Sequence, residues 1–162
     1  MSHGRSPAGL VLAMLLAAGS DPPLPGSVQQ LELALPPEWQ LGVHVVLMLE
    51  NVTTPRGVAF KVQVSARSEG DADVLLGGFG VLADAAGAEG SREPVSYRVD
   101  VTRGLRRWGE RHPAAKTVTL ALGTLDGDSR PIAVSWRVGH AFLKLRSDSP
   151  KSAVLAEGAA LE

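Results

Sequence analysis

The sequence predicts an all-β protein: an antiparallel two-sheet sandwich, jelly-roll-like in its succession of short strands, with one short helix. Three observations predict it. Apolar residues recur at every second position over several short segments, the period of a strand with one face in a core. Turn-forming Gly, Pro and Asp residues separate those segments. The body of the chain lacks the helices that a parallel sheet needs as crossovers.

The elements follow in order. Residues 31–35 (LELAL) form the first candidate strand. In 43–50, Val43, Val45, Leu47 and Leu49 share one face, and His44, Val46, Met48 and Glu50 share the other. Thr54-Pro55-Arg56-Gly57 reads as a turn into 58–65, where Phe60, Val62 and Val64 point inward and Lys61 and Gln63 outward. Spacing and turn chemistry predict a hairpin between these two strands. The apolar segment 73–83 contains Gly77, Gly78 and Gly80, and glycines inside a strand mark a bulge or a close backbone approach. Residues 84–94, rich in Gly, Ala and Glu and ending at Pro94, read as a mobile loop.

In 95–101, Val95, Tyr97, Val99 and Val101 line one face. Thr102 is placed to cap a short helix over 103–111, closed by Pro113, with Leu105 and Trp108 three apart on one side. Segment 116–125 buries Val118, Leu120 and Leu122, and Asp126-Gly127-Asp128 forms the turn after it. The last segment, 131–145, carries Ile132, Val134, Trp136 and Val138 on one face and ends in Phe142 and Leu145.

The ends differ from the body. Residues 1–26 read as a signal peptide or leader with its linker. Arg5 precedes the apolar run Gly9 to Ala18, Ala17 and Gly19 are small residues spaced as a signal peptidase accepts, and a Pro-rich stretch ends the segment. The apolar run is too short for a stable membrane span. The expected location is therefore secreted or periplasmic. Residues 27–146 make the sandwich and 147–162 a flexible tail.

Composition narrows the function. A length of 162 residues allows one domain plus tails, and 44% hydrophobic residues supply a two-layer core. The 16 Lys and Arg nearly balance the 17 Asp and Glu, which argues against a nucleic-acid binder and gives no attraction to an acidic membrane. There is no cysteine, so disulfides, thiolate catalysis and iron–sulfur clusters are excluded.

No chemistry-bearing constellation stands out. His3, His44, His112 and His140 show no metal-ligand spacing. No serine sits in a nucleophile elbow. The glycines of 76–80 lack the Lys-Ser/Thr of a phosphate loop. Asp126 and Asp128 read as a plain turn, with calcium binding as the alternative. Arg103, Arg106, Arg107 and Arg111 read as a solvated helix face above an anchored Trp108, with an anionic partner as the alternative. Asn51-Val52-Thr53 is a glycosylation sequon. No catalytic residue, metal ligand or cofactor is expected, and the chain reads as no enzyme.

The order of several short motifs carries more. Phe60, Val62 and Val64 come first, then Gly77, Gly78 and Phe79. Val99, Asp100, Val101 and Thr102 follow, with Leu105 and Trp108. Val118, Leu120 and Leu122, the 126–130 turn and 132–145 complete the series. Over about residues 43–145 this series resembles the C-terminal β-sandwich domain of the tyrosinase and polyphenol oxidase family. Arg103 stands where that family often carries an acid.

The resemblance implies a non-catalytic accessory domain and a type-3 copper phenol oxidase as its partner. It implies packing over the entrance to the copper site, with an aromatic side chain taking the substrate's place. Phe79, Tyr97 and Trp108 are the candidates for that aromatic. The alternative is a free-standing extracellular sandwich that binds sugar or protein ligands.

Overall fold

The computed structural model describes residues 28–41, 43–84 and 88–146. The expected leader and tail lie outside the described residues, as do residues 85–87 of the expected loop. Seven strands and one helix are described, in the order β1 (Gln29–Ala34), β2 (His44–Val52), β3 (Phe60–Ala66), β4 (Val74–Val81), β5 (Val95–Asp100), α1 (Thr102–Arg111), β6 (Thr117–Leu125) and β7 (His140–Arg146). They form two antiparallel sheets, β1-β6-β3-β4 and β5-β2-β7. The sandwich predicted from the period-two pattern is therefore present. Among the described residues it has seven strands, where a full jelly roll has eight.

The core lies between the sheets. Phe60, Val62, Val64 and Ala66 on β3 and Val118, Leu120 and Leu122 on β6 face Val45, Leu47 and Leu49 on β2 and Leu143 on β7. Leu105 and Trp108 from α1 join them. Each fully buried Val or Leu contributes about 2 kcal/mol relative to exposure, so these rows dominate the stability.

Two strand expectations are corrected. β2 and β3 are no hairpin: β2 pairs with β5 and β7, and β3 with β4 and β6, in opposite sheets. The chain crosses between sheets through 53–59 and is fastened on the way. Thr53 and Arg137 exchange backbone hydrogen bonds of 2.9 Å, Arg56 N–H donates to Gly90 O, and Arg92 N–H donates to Thr54 O. Gly57 (φ +73°) allows the turn, where a Cβ would lie 2.8 Å from Ala88 O.

The sequential hairpin is β3–β4, and its register shifts between Val64 and Ser65. Gly77 and Leu75 are the respective partners, so Leu76 is the extra residue, and it is buried. Glycine here also permits close approach, since a Cβ on Gly78 would sit 2.5 Å from Val62 O.

The second correction concerns 131–145. Only His140–Arg146 is a strand. Upstream, isolated bridges join Leu125 to Pro131 in one sheet and Thr53 to Arg137 beside the other. This stretch carries Trp136 into the core, against Phe60 and Phe79. Its alternation survives because extended backbone turns alternate side chains inward whether or not it is paired.

The described part of the expected loop is also fastened. Asp84 pairs with Arg56 and Arg92, and the Arg92 guanidinium donates to Leu82 O.

Thr102 does not cap α1 with its side chain. It is the first helical residue, after Val101 in the cap position. Its hydroxyl accepts from Val45 N–H at 2.9 Å and lies 3.3 Å from Val45 O, tying α1 to β2. Asp100 Oδ1 instead accepts the Thr102 N–H at 2.9 Å, which places a carboxylate at the positive end of the helix. Two glycines lie on the buried side of α1. Gly104 lies against β4 and Gly109 under the Trp39 ring.

Candidate functional site

The outer face of β5-β2-β7 follows from strand alternation. Because Val45, Leu47 and Leu49 point into the core, His44, Val46, Met48 and Glu50 point away from it. Register then sets the neighbours. Met48 lies between Arg98 of β5 and Phe142 of β7, and Val46 between Asp100 and Lys144. His44 lies opposite Arg146, and Glu50 opposite His140. Directly opposed side chains in a sheet are close enough to touch. Val46, Met48 and Phe142 therefore form an apolar centre that is half-buried and belongs to no part of the main core. The His140 ring lies against Phe142, with centroids 5.3 Å apart.

At one corner of this face α1 closes a cleft of about 560 Å³, lined by His44, Asp100, Thr102, Arg103 and Arg106. His44 Nδ1 lies 3.6 Å from Asp100 Oδ2, and both side chains are about half exposed or more. Hydrogen bonding by Thr102, side chain first and backbone N–H second, holds the Asp100 carboxyl below the usual carboxylate range. The nearby His44 adds a smaller contribution in the same direction. Arg103 and Arg106 lie on the exposed side of α1, because Leu105 and Trp108 take the buried side.

The three aromatics singled out from the sequence pack inward. Trp108 is 4% exposed, donates from Nε1 to Arg67 O at 3.0 Å, and stacks on His112 at 4.4 Å. A carbonyl only accepts, so the His112 Nδ1 lying 2.9 Å from Trp108 O carries the proton. Phe79 and Tyr97 stack on each other at 4.2 Å, and Phe79 also meets the edge of Trp136. They close the gap between the β4 and β5 edges.

The motif residues Phe60, Val62, Val99 and Leu105 are core residues. Gly77 lies against Val99, where a Cβ would stand 3.0 Å from its Cγ1, and Thr102 links α1 to β2. Of the chain's seven aromatic residues, six line or cover the core, and Phe142 is the one on an outer face. The sequence reading placed Phe142 at the end of a strand. Its parity with Lys144 and Arg146, two and four residues on, was the signal that pointed it outward.

The turn at 126–130 uses its acid internally. Asp126 Oδ1 accepts the N–H groups of Asp128 and Arg130 at 2.9 and 2.8 Å. Among the described residues, no three His, Asp or Glu side chains gather as a metal site would require. No described helix is long and apolar enough to cross a membrane. Asn51 of the sequon is exposed at the end of β2, with φ +52°.

The chain matches no protein-family model and no curated protein.

Proposed function

We propose that this domain is a non-catalytic accessory module that docks on another protein, secreted or periplasmic with it, and that a type-3 copper phenol oxidase is the partner. The observation that carries the docking reading is the Val46–Met48–Phe142 cluster on the outer face of the three-stranded sheet. Apolar side chains gathered on an outer face and rimmed by charge have the composition of an interface centre.

The oxidase enters through the motif order shared with tyrosinase C-terminal domains. The strand, glycine and helix motifs of that order fall on β3, β4, β5, α1 and β6 of one sandwich. Contact with the oxidase is made by Phe142 and its neighbours, since Phe79, Tyr97 and Trp108 are engaged inside. A sugar-binding role has less support, because the aromatic rings that would stack on a sugar face the core.

The test is direct. The purified chain is mixed with a tyrosinase-type oxidase that lacks its own C-terminal sandwich. Complex formation is followed by size-exclusion chromatography and phenol oxidation by absorbance. A complex with a slowed rate is expected. No complex together with an unchanged rate overturns the oxidase assignment.

A further inference from the structure

We infer that the outer face of β5-β2-β7, with the α1 corner, is built to receive an acidic protein surface bearing a central apolar side chain. This deepens the docking reading and rests on it.

Charge separation is the first argument. The chain as a whole is nearly neutral, with a formal charge of −1. The fold gathers Arg98, Lys144 and Arg146 on the sheet face and Arg103 and Arg106 at its corner. Among the described residues the acids there are Asp100 and Glu50, and Asp100 already accepts the Thr102 N–H and lies beside His44. The face is therefore cationic on a chain that is not, and a partner of opposite sign is steered to it.

Geometry is the second argument. Val46, Met48 and Phe142 are half-buried by their sheet neighbours and do not stand among the most exposed apolar side chains. A membrane anchor inserts protruding apolar side chains below the headgroups, whereas a half-buried patch with a charged rim mates with another folded surface. Three strands of about seven residues present an area on the order of 350 Å². A standard interface takes about 800 Å² from each partner, so the complex is transient and strongly salt-dependent.

The experiment uses the full chain and two fluorescein-labelled peptides, poly-glutamate and poly-glutamate with a central Trp-Leu pair. Binding is read by anisotropy between roughly 0.05 and 0.15 M salt. The Trp-Leu peptide is expected to bind more tightly, and both peptides to weaken as salt rises. Arg98→Glu with Lys144→Glu is expected to weaken both by about tenfold, and the milder Arg98→Gln with Lys144→Gln by about threefold. Phe142→Ser should remove the advantage of the Trp-Leu peptide. Lys116→Glu with Arg130→Glu, on the other sheet's loops, should change binding less than about twofold. Thermal melting of each variant confirms its fold.

Equal losses from both sets of reversals overturn the face, as does an absence of peptide binding. Tighter binding to double-stranded DNA or phosphatidylserine vesicles, lost in the same variants, overturns the protein partner. Peptide binding without any complex with the oxidase supports the face and removes only the oxidase.

Discussion

Replacing Gly104 by Ala tests how α1 is seated, and the sign of the effect is diagnostic. In an exposed helix interior this change stabilises by about 1 kcal/mol, because glycine carries the larger backbone entropy cost. At Gly104 the added methyl would lie 2.6 Å from Leu75 O, 2.6 Å from Leu76 Cα and 2.9 Å from Leu76 Cδ2. The first two belong to the β4 backbone and cannot swing aside. Ordinary carbon contacts begin near 3.5 Å, so α1 must retreat by about 1 Å. Leu105 and Trp108 would move with it, although both are seated in the core at 0% and 4% exposure.

Overpacking of this kind costs about 3 kcal/mol at its upper range, and subtracting the propensity gain leaves about 2 kcal/mol of destabilisation. Gly109→Ala is the control. Its methyl would meet the Trp39 ring at 2.2 Å, a half-buried side chain that can rotate away, so a net cost below about 1 kcal/mol is expected. Urea unfolding followed by tryptophan fluorescence and far-UV circular dichroism reads both. A Gly104→Ala protein as stable as the parent, or one less perturbed than Gly109→Ala, refutes the close seating of α1 on β4.

Three further outcomes are expected. Thr102→Val should lose about 1–2 kcal/mol, because Val45 N–H is left without its acceptor, and Thr102→Ser should retain most of it; equal losses in urea unfolding would refute the role of the hydroxyl. Leu120→Ala removes a fully buried side chain between the sheets and should cost about 3 kcal/mol, read as a lower urea midpoint with an unchanged slope. Asp100→Asn should destabilise modestly at neutral pH, since the side chain is largely exposed. The folded-state pKa of Asp100 is lowered, so its stabilisation is fully present above the ordinary carboxylate range and is lost as pH falls through the folded value. The two proteins should therefore converge in stability toward acid pH. A difference independent of pH would contradict the charged capping role.

The rows Val62–Val64, Leu120–Leu122 and Val45–Leu47–Leu49 were legible in the chain, because a strand with one face in a core needs an apolar residue at every second position. The glycine signal at 77–78 was legible for a similar reason: a backbone close by leaves no room for a Cβ. The sequence by itself therefore determined the class of fold, most strand positions and the helix.

Only the tertiary structure decided which strands are neighbours. Thr54-Pro55-Arg56-Gly57 carries the local chemistry of a hairpin turn, yet β2 and β3 part into opposite sheets, because β2 finds its partners as far away as Phe142 and Leu143. Alternation says which side of a strand is apolar and nothing about what lies beside it. The Val46–Met48–Phe142 centre and its ring of Arg98, Lys144 and Arg146 come from three segments far apart in the chain and exist only once register aligns them. Net charge is a sum over the chain and contains no positions, so while the arginines of α1 were legible as a run, their union with Arg98, Lys144 and Arg146 was not until register brought those strands together.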